Sequence, residues 1–413
     1  MKKIVVITGA SAGIGRAAAR TFAREGADLA LIARGRDGLE AARKEIEQVG
    51  RRCVIIPADV ANAEAVEQAA GQTERELGPI DVWVNNAMAS VFSPVKETPT
   101  EEFKRVTEVT YLGYVYGTLA ALKRMLPRDR GVIVQVGSAL AYRGIPLQAA
   151  YCAAKHAIEG FCDSLRTELL HDRSNVQLTM VQMPAVNTPQ FGWVKSRLPR
   201  KAQPVPPIFQ PEIAADAILY AAKHPKREYI LGWPALKAIW GNKAATWYAD
   251  HVLARDGYES QQYDGSEDPN RPHNLWEPVP GDHGAHGRFD HRASKWSLQW
   301  FLSKNRYLIS AAWPDPPGCK KFGGCKESQR IDKVHFVLAK GGKGRHLFRF
   351  SFDERADCHS RFWFAIHAGD RAAHPRVQCV FDDSALRHAG GGNQADEGQG
   401  NHLVGRAFEC VCG

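Results

Sequence analysis

Short apolar runs alternate with amphipathic stretches through the first 230 residues, and that alternation predicts the architecture. Lys3-Ile-Val-Val-Ile-Thr8 has the length and β-branched content of a strand, and Ile14–Glu25 is an Ala/Arg-rich helix that stops before Gly26. The pattern then repeats. Strands are expected at 28–33, 52–57, 80–84, 132–136, 176–182 and 228–231, with helices at 37–49, 62–77, 101–126, 149–170 and 211–223 between them. Strand and helix in strict succession imply an α/β fold, a doubly wound parallel sheet with helices on both faces. Ligands of such sheets bind at the carboxyl ends of the strands.

The residues with chemical character fall at those ends. Thr8-Gly-Ala-Ser-Ala-Gly-Ile-Gly15 joins the first strand to the first helix. Glycines at 9, 13 and 15 permit a tight turn and let a pyrophosphate approach the helix N-terminus, where free N–H groups and the helix dipole favour an anion. Tyr151 and Lys155 are four apart on a helix and share a face, with Ser138 thirteen residues upstream. A free phenol, with a pKa of about 10, is a weak base at neutral pH, and a nearby ammonium favours its ionised form. A serine hydroxyl can hold a reacting oxygen in line. Together they suit proton transfer to or from a substrate oxygen while a nicotinamide carries hydride.

These motifs resemble the short-chain dehydrogenase/reductase family, whose pattern is T-G-x-x-x-G-x-G, an N-N-A-G turn, a serine after the fifth strand, and Y-x-x-x-K. The likeness runs from Met1 to about Trp233. It implies a Rossmann-like catalytic domain and an NAD(P)-dependent enzyme that interconverts an alcohol and a carbonyl. Ser138, Tyr151 and Lys155 are the implied catalytic residues, with Thr110 in the place of an asparagine that holds a relay water. Gly9, Ser11, Gly13, Ile14, Gly15, Asp59, Asn86, Tyr151, Lys155, Pro184, Val186 and Thr188 are the implied cofactor contacts. The chain departs from the pattern at Thr110, at Met88 after Asn85-Asn86-Ala87, and at Ala185 after Pro184. The last two put side chains near the nicotinamide end and so affect the shape of the substrate pocket.

Arg34 follows the second strand, with Arg36 nearby and no acid until Asp37. Arginine there accommodates a ribose 2′-phosphate, so Arg34 is a further expected cofactor contact and NADP is expected ahead of NAD. By resemblance, residues 184–210 form a substrate lid. Phe191 and Trp193 in it, together with Val91, Phe92, Tyr142 and Ile145, are expected to wall a pocket for an apolar small-molecule substrate. The resemblance also implies a homodimer built on helices 101–126 and 149–170. The rival reading is a nucleotide-binding regulator of the same fold without turnover.

Beyond a catalytic domain at 1–254 the pattern changes. Residues 255–295, rich in Pro, Gly, Asp and His, read as a flexible linker. Residues 296–313 read as a short apolar helix of interfacial type, too short to span a bilayer but suited to weak membrane association. Residues 314–413 hold six of the nine cysteines and seven of the fifteen histidines and read as an irregular or non-native tail, with a small accessory domain as the rival reading. No metal site is expected, because His283, His286 and His291 lack the cysteines or carboxylates that complete a ligand set. The net charge of +9 is spread along the chain, which argues against a nucleic-acid partner. Only four apolar residues separate Lys3 from Thr8, short of a signal core, so a cytoplasmic location is expected.

Overall fold

The computed structural model describes residues 3–305 and, beyond them, the strands Val334–Gly341, Arg345–Phe352, Arg361–Ile366, Val377–Phe381 and Phe408–Glu409. The chain divides into two compact units, Met1–Pro314 and Asp315–Gly413. The first is built on seven parallel strands: β1 (Ile4–Thr8), β2 (Asp28–Ala33), β3 (Cys53–Pro57), β4 (Val82–Asn85), β5 (Val132–Ser138), β6 (Gln177–Met183) and β7 (Glu228–Ile230). Their spatial order is β7-β6-β5-β4-β1-β2-β3. The order reverses between β1 and β4, which opens a crevice at the carboxyl ends of those strands.

Strand side chains alternate between faces, so each apolar run feeds two cores. Val5, Ile7, Leu29 and Leu31 pack against α1 (Gly13–Arg24), α2 (Arg36–Gln48) and α8 (Pro211–Lys223). Ile4, Val6, Ala30 and Ile32 pack on the other face, against α3 (Ala63–Glu76), α4 (Thr100–Thr107), α5 (Gly113–Met125) and α6 (Ala149–His171). Helices α4 and α5 are joined through a π-helical turn at Glu108–Leu112, so the single helix expected there carries a local widening. The strands and helices expected through residue 231 are otherwise present within a few residues of the expected bounds.

Residues 255–295 are not a free linker. Gln262–Ser266 pairs antiparallel with Arg200–Ala202, and Ala293–Ser294 pairs parallel with Ile208–Phe209. Leu275, Ala285 and Phe289 are buried, so a few apolar anchors spaced through a polar, Pro/Gly-rich segment pin it to the domain. Composition alone misses such anchors because they follow neither helix nor strand period.

The expected interfacial helix is also different. In the described part it is α11 (Leu298–Lys304), capped by Ser297, and its Trp300 is buried against Tyr220 and Tyr229. Trp300 Nε1 and Lys304 Nζ both donate to Asp216 Oδ2, at 2.6 Å each. Residues 306–313 lie outside the described residues. Asp216→Ala should lower stability by about 1–2 kcal/mol, because it leaves a buried indole N–H unpaired. Urea unfolding would show it, and an unchanged midpoint would mean that α11 docks without this contact.

In the second unit the five strands form one antiparallel sheet in chain order. This differs from the expected irregular tail and agrees with the rival reading of an accessory domain, and the period-two alternation of Leu347-Phe-Arg-Phe-Ser-Phe352 is the signal in the sequence that carries it. Among the described residues no helix is long and apolar enough to cross a membrane.

Candidate active site

A cleft of about 520 Å³ opens at the crevice. Gly9, Ser11, Gly13 and Ile14 line one end, and Ser138, Tyr151, Lys155, Pro184, Val186 and Thr188 the other, with Arg34, Asp59 and Asn86 also on its walls. Glycine is required where the backbone is crowded. Gly9 has φ +66°, and a Cβ there would stand 2.7 Å from Ala87 Cα. A Cβ at Gly15 would stand 2.2 Å from the Gly9 carbonyl oxygen. Asn86 holds the turn from the far side, its Nδ2 donating to the carbonyls of Thr8 (3.0 Å) and Gly9 (3.2 Å). Helix α1 starts with no side-chain cap and no acid in its first turn, so no side chain of the helix itself opposes an anion at its N-terminus.

Ser138 ends β5, where its Oγ accepts from Leu140 N (3.2 Å), and it lines the cleft with Tyr151. Burial raises the pKa of Tyr151 above the ordinary phenol value, and the Ser138 hydroxyl works in the opposite direction. Lys155, one helical turn on, is buried. Its Nζ donates to the Val136 carbonyl (2.7 Å) and to Tyr114 Oη (3.0 Å), and lies 5.6 Å from the Tyr151 ring centre. Burial pushes its pKa down to about 7. Desolvation thus favours the neutral form of both groups.

Between about pH 7 and the ordinary lysine value of 10.5, the folded chain therefore holds fewer protons on Lys155 than the unfolded chain does. The stability of the wild type relative to Lys155→Met should rise through that window by up to about 1.4 kcal/mol per pH unit, and fall away as pH drops toward 7. Urea unfolding of both proteins across the range would test this; a constant difference would show that the amine stays charged when buried.

Thr110 does not reach the cleft. Its hydroxyl donates to the Ala89 carbonyl (2.8 Å) and accepts from Ala89 N (2.9 Å), so it pins the loop after β4 instead of facing the reacting groups. Tyr114, four residues on, makes the contact to Lys155, and its own hydroxyl donates to the Val136 carbonyl (2.9 Å). The helical spacing from Thr110 was the available sequence signal for it. Asn85 is buried in a network with Trp83, Thr118 and Gln135 and braces the sheet.

Asp59 is paired with Arg105, and Arg34 donates to the backbone carbonyls of Asn274, Leu275 and Trp276. Ile145, Phe191 and Trp193 line the cleft as expected, joined by Leu140, Val205 and Leu253. Val91 and Phe92 do not line it. They are buried in a short pairing with Lys195–Ser196, and Tyr142 turns away to donate to Glu228 Oε1 (2.7 Å).

Glycines where a Cβ would clash, an uncapped helix start and a hydroxyl–phenol–amine set along one cleft are the features a nicotinamide dinucleotide needs. Comparison with known proteins agrees. Residues 3–197 match the family model described as short chain dehydrogenase. An uncharacterised oxidoreductase of Bacillus subtilis, YxnA, is 32% identical over 283 residues, covering 68% of this chain and 80% of the relative. The fatty acyl-CoA reductase of Acinetobacter baylyi is 34% identical over 54% of this chain and 75% of its own length. A solved alcohol dehydrogenase from Thermococcus sibiricus, complexed with 5-hydroxy-NADP, is 32% identical, with 56% of this chain and 96% of that one covered at a TM-score of 0.49. The chain belongs to the short-chain dehydrogenase/reductase family, as an oxidoreductase that takes a nicotinamide dinucleotide.

Proposed function

We propose that the protein interconverts an apolar alcohol and its aldehyde or ketone, using NADP(H) in preference to NAD(H), with Tyr151 as the proton donor and acceptor. The observation that carries this reading is the convergence of Ser138, a half-buried Tyr151 and, one turn behind it, a buried Lys155 on one cleft with largely apolar outer walls. A bound nicotinamide supplies or accepts the hydride. Tyr151 gives its proton to the substrate oxygen during reduction and takes it back during oxidation. Ser138 orients that oxygen, and Lys155 holds the nicotinamide ribose and, in its protonated form, supplies positive charge beside the phenol.

Burial keeps the Tyr151 phenol in its protonated, proton-donating form. Leu140, Ile145, Phe191, Trp193, Val205 and Leu253 favour a hydrophobic substrate, and the Acinetobacter relative, a fatty acyl-CoA reductase, supports an aliphatic chain. Arg34, the first residue after β2, supports a 2′-phosphate. A panel of aliphatic and aromatic aldehydes, ketones and alcohols, followed by nicotinamide absorbance with each cofactor, tests the reading. Turnover of apolar carbonyls with NADPH is expected; turnover confined to polar, sugar-like substrates would overturn the assignment.

A further inference from the structure

Residues 272–292 run across the open side of the nucleotide cleft, and they touch each part of the nucleotide seat. At the end of β2, Arg34 donates to the carbonyls of Asn274, Leu275 (3.4 Å) and Trp276 (2.7 Å), while Arg105 Nε donates to the Leu275 carbonyl (3.1 Å). At the first turn of α1, Gly13 N donates to the Gly284 carbonyl (3.1 Å) and Arg16 to Asp282 (3.2 Å). Gly281 N donates to Asp37 Oδ2 (2.8 Å). Beside Thr188, Gly287 N donates to the Asn187 carbonyl (3.3 Å), Phe289 N to Asn187 Oδ1 (3.0 Å), and Asn187 Nδ2 to Asp290 Oδ1 (2.9 Å). Asn274, Pro278, Val279, Gly281 and His283 thereby become walls of the cleft itself.

Two of these contacts occupy groups that the nucleotide would use. The Gly13 N–H belongs to the first turn of α1, where a pyrophosphate oxygen is received, and Arg34 is the cation assigned to the 2′-phosphate. A strap carbonyl and a phosphate oxygen are both acceptors, so they compete for the same donors. The segment is nonetheless anchored at both ends, by buried Leu275 and by buried Phe289. The stretch between those anchors, 276–288, carries Pro278, Pro280 and three glycines, and Ala285 is its one buried side chain.

We propose that residues 272–292 are the outer wall of the nucleotide site and a gate to it. Nucleotide enters and leaves when the stretch between the two anchors lifts, with the Arg34 and Gly13 donors passing between strap carbonyls and nucleotide phosphates. The proposal rests on the cleft being a dinucleotide seat. It makes cofactor exchange, separately from chemistry, a property of this strap.

A disulfide tests the gate. A Cβ built on Gly35, whose φ of −78° suits any residue, would stand 3.3 Å from Pro278 Cβ, close to the spacing of about 3.5–4.5 Å found in disulfides. In the full-length Gly35→Cys/Pro278→Cys protein, NADPH association and release are followed by stopped-flow fluorescence before and after oxidation, with the cross-link verified by mass spectrometry. Oxidation should slow both rates by at least about tenfold, with recovery on reduction. Equal rates in the verified cross-linked and reduced forms would overturn the gate.

Wild-type protein gives an independent readout that does not need the variant to fold. Trypsin cleavage after Arg288 and Arg292 should slow in the presence of NADPH. Unprotected cleavage at saturating NADPH overturns the enclosing strap while leaving the nucleotide reading intact. A wild type that binds neither NADPH nor NADH overturns both.

Discussion

Replacing Tyr151 with phenylalanine should cut turnover of an apolar carbonyl by about 10² to 10⁴-fold while NADPH affinity stays near that of the wild type. The phenol is the group proposed to carry the proton. Its ring packs at the edge of the second core face, a contact that phenylalanine keeps, and the lost hydroxyl leaves no charge behind. Thr110→Val, by contrast, should act on stability more than on turnover, because both bonds of its hydroxyl go to Ala89. Steady-state kinetics with parallel nucleotide titration separates the two effects. Near-normal turnover in Tyr151→Phe would remove Tyr151 from the acid–base role.

Arg34→Glu should weaken NADPH binding by about 10²-fold and NADH binding far less, since charge-assisted bonds to a phosphate are lost and a repelling carboxylate replaces them. Arg34 also anchors the backbone at 274–276, so the variant loosens the strap for either nucleotide. That loss is common to both. The ratio of the two affinities therefore isolates the 2′-phosphate, and calorimetric titration of each nucleotide measures it. Equal losses would assign Arg34 to the strap alone, and a wild-type preference for NADH would refute the cofactor choice.

The sheet was legible because its strands are apolar runs at regular intervals, each followed by a helix with one apolar face. Gly9, Gly13 and Gly15 were legible as a turn for the same local reason: chain neighbours alone dictate it. Thr110 was misplaced because what its hydroxyl meets depends on the loop carrying Ala89, twenty-one residues earlier in the chain. The strap was invisible for a related reason. Beside a few isolated apolar anchors, its hold on the domain comes from Arg34 and Gly13 to backbone carbonyls some 240 to 270 residues away, and backbone acceptors leave no mark on residue type. Val91 and Phe92 were expected among the pocket walls. Their pairing with Lys195–Ser196, which no local pattern announces, buries them.

Hydride transfer itself is the most direct test. With NADPH deuterated at the transferable position of the nicotinamide and a panel of apolar aldehydes and ketones, mass spectrometry of the alcohol product should find deuterium on the carbinol carbon for the wild type, with the yield collapsing in Tyr151→Phe. Tight binding of NADPH without transfer to any member of the panel would contradict the account and favour a nucleotide-binding regulator on the same fold.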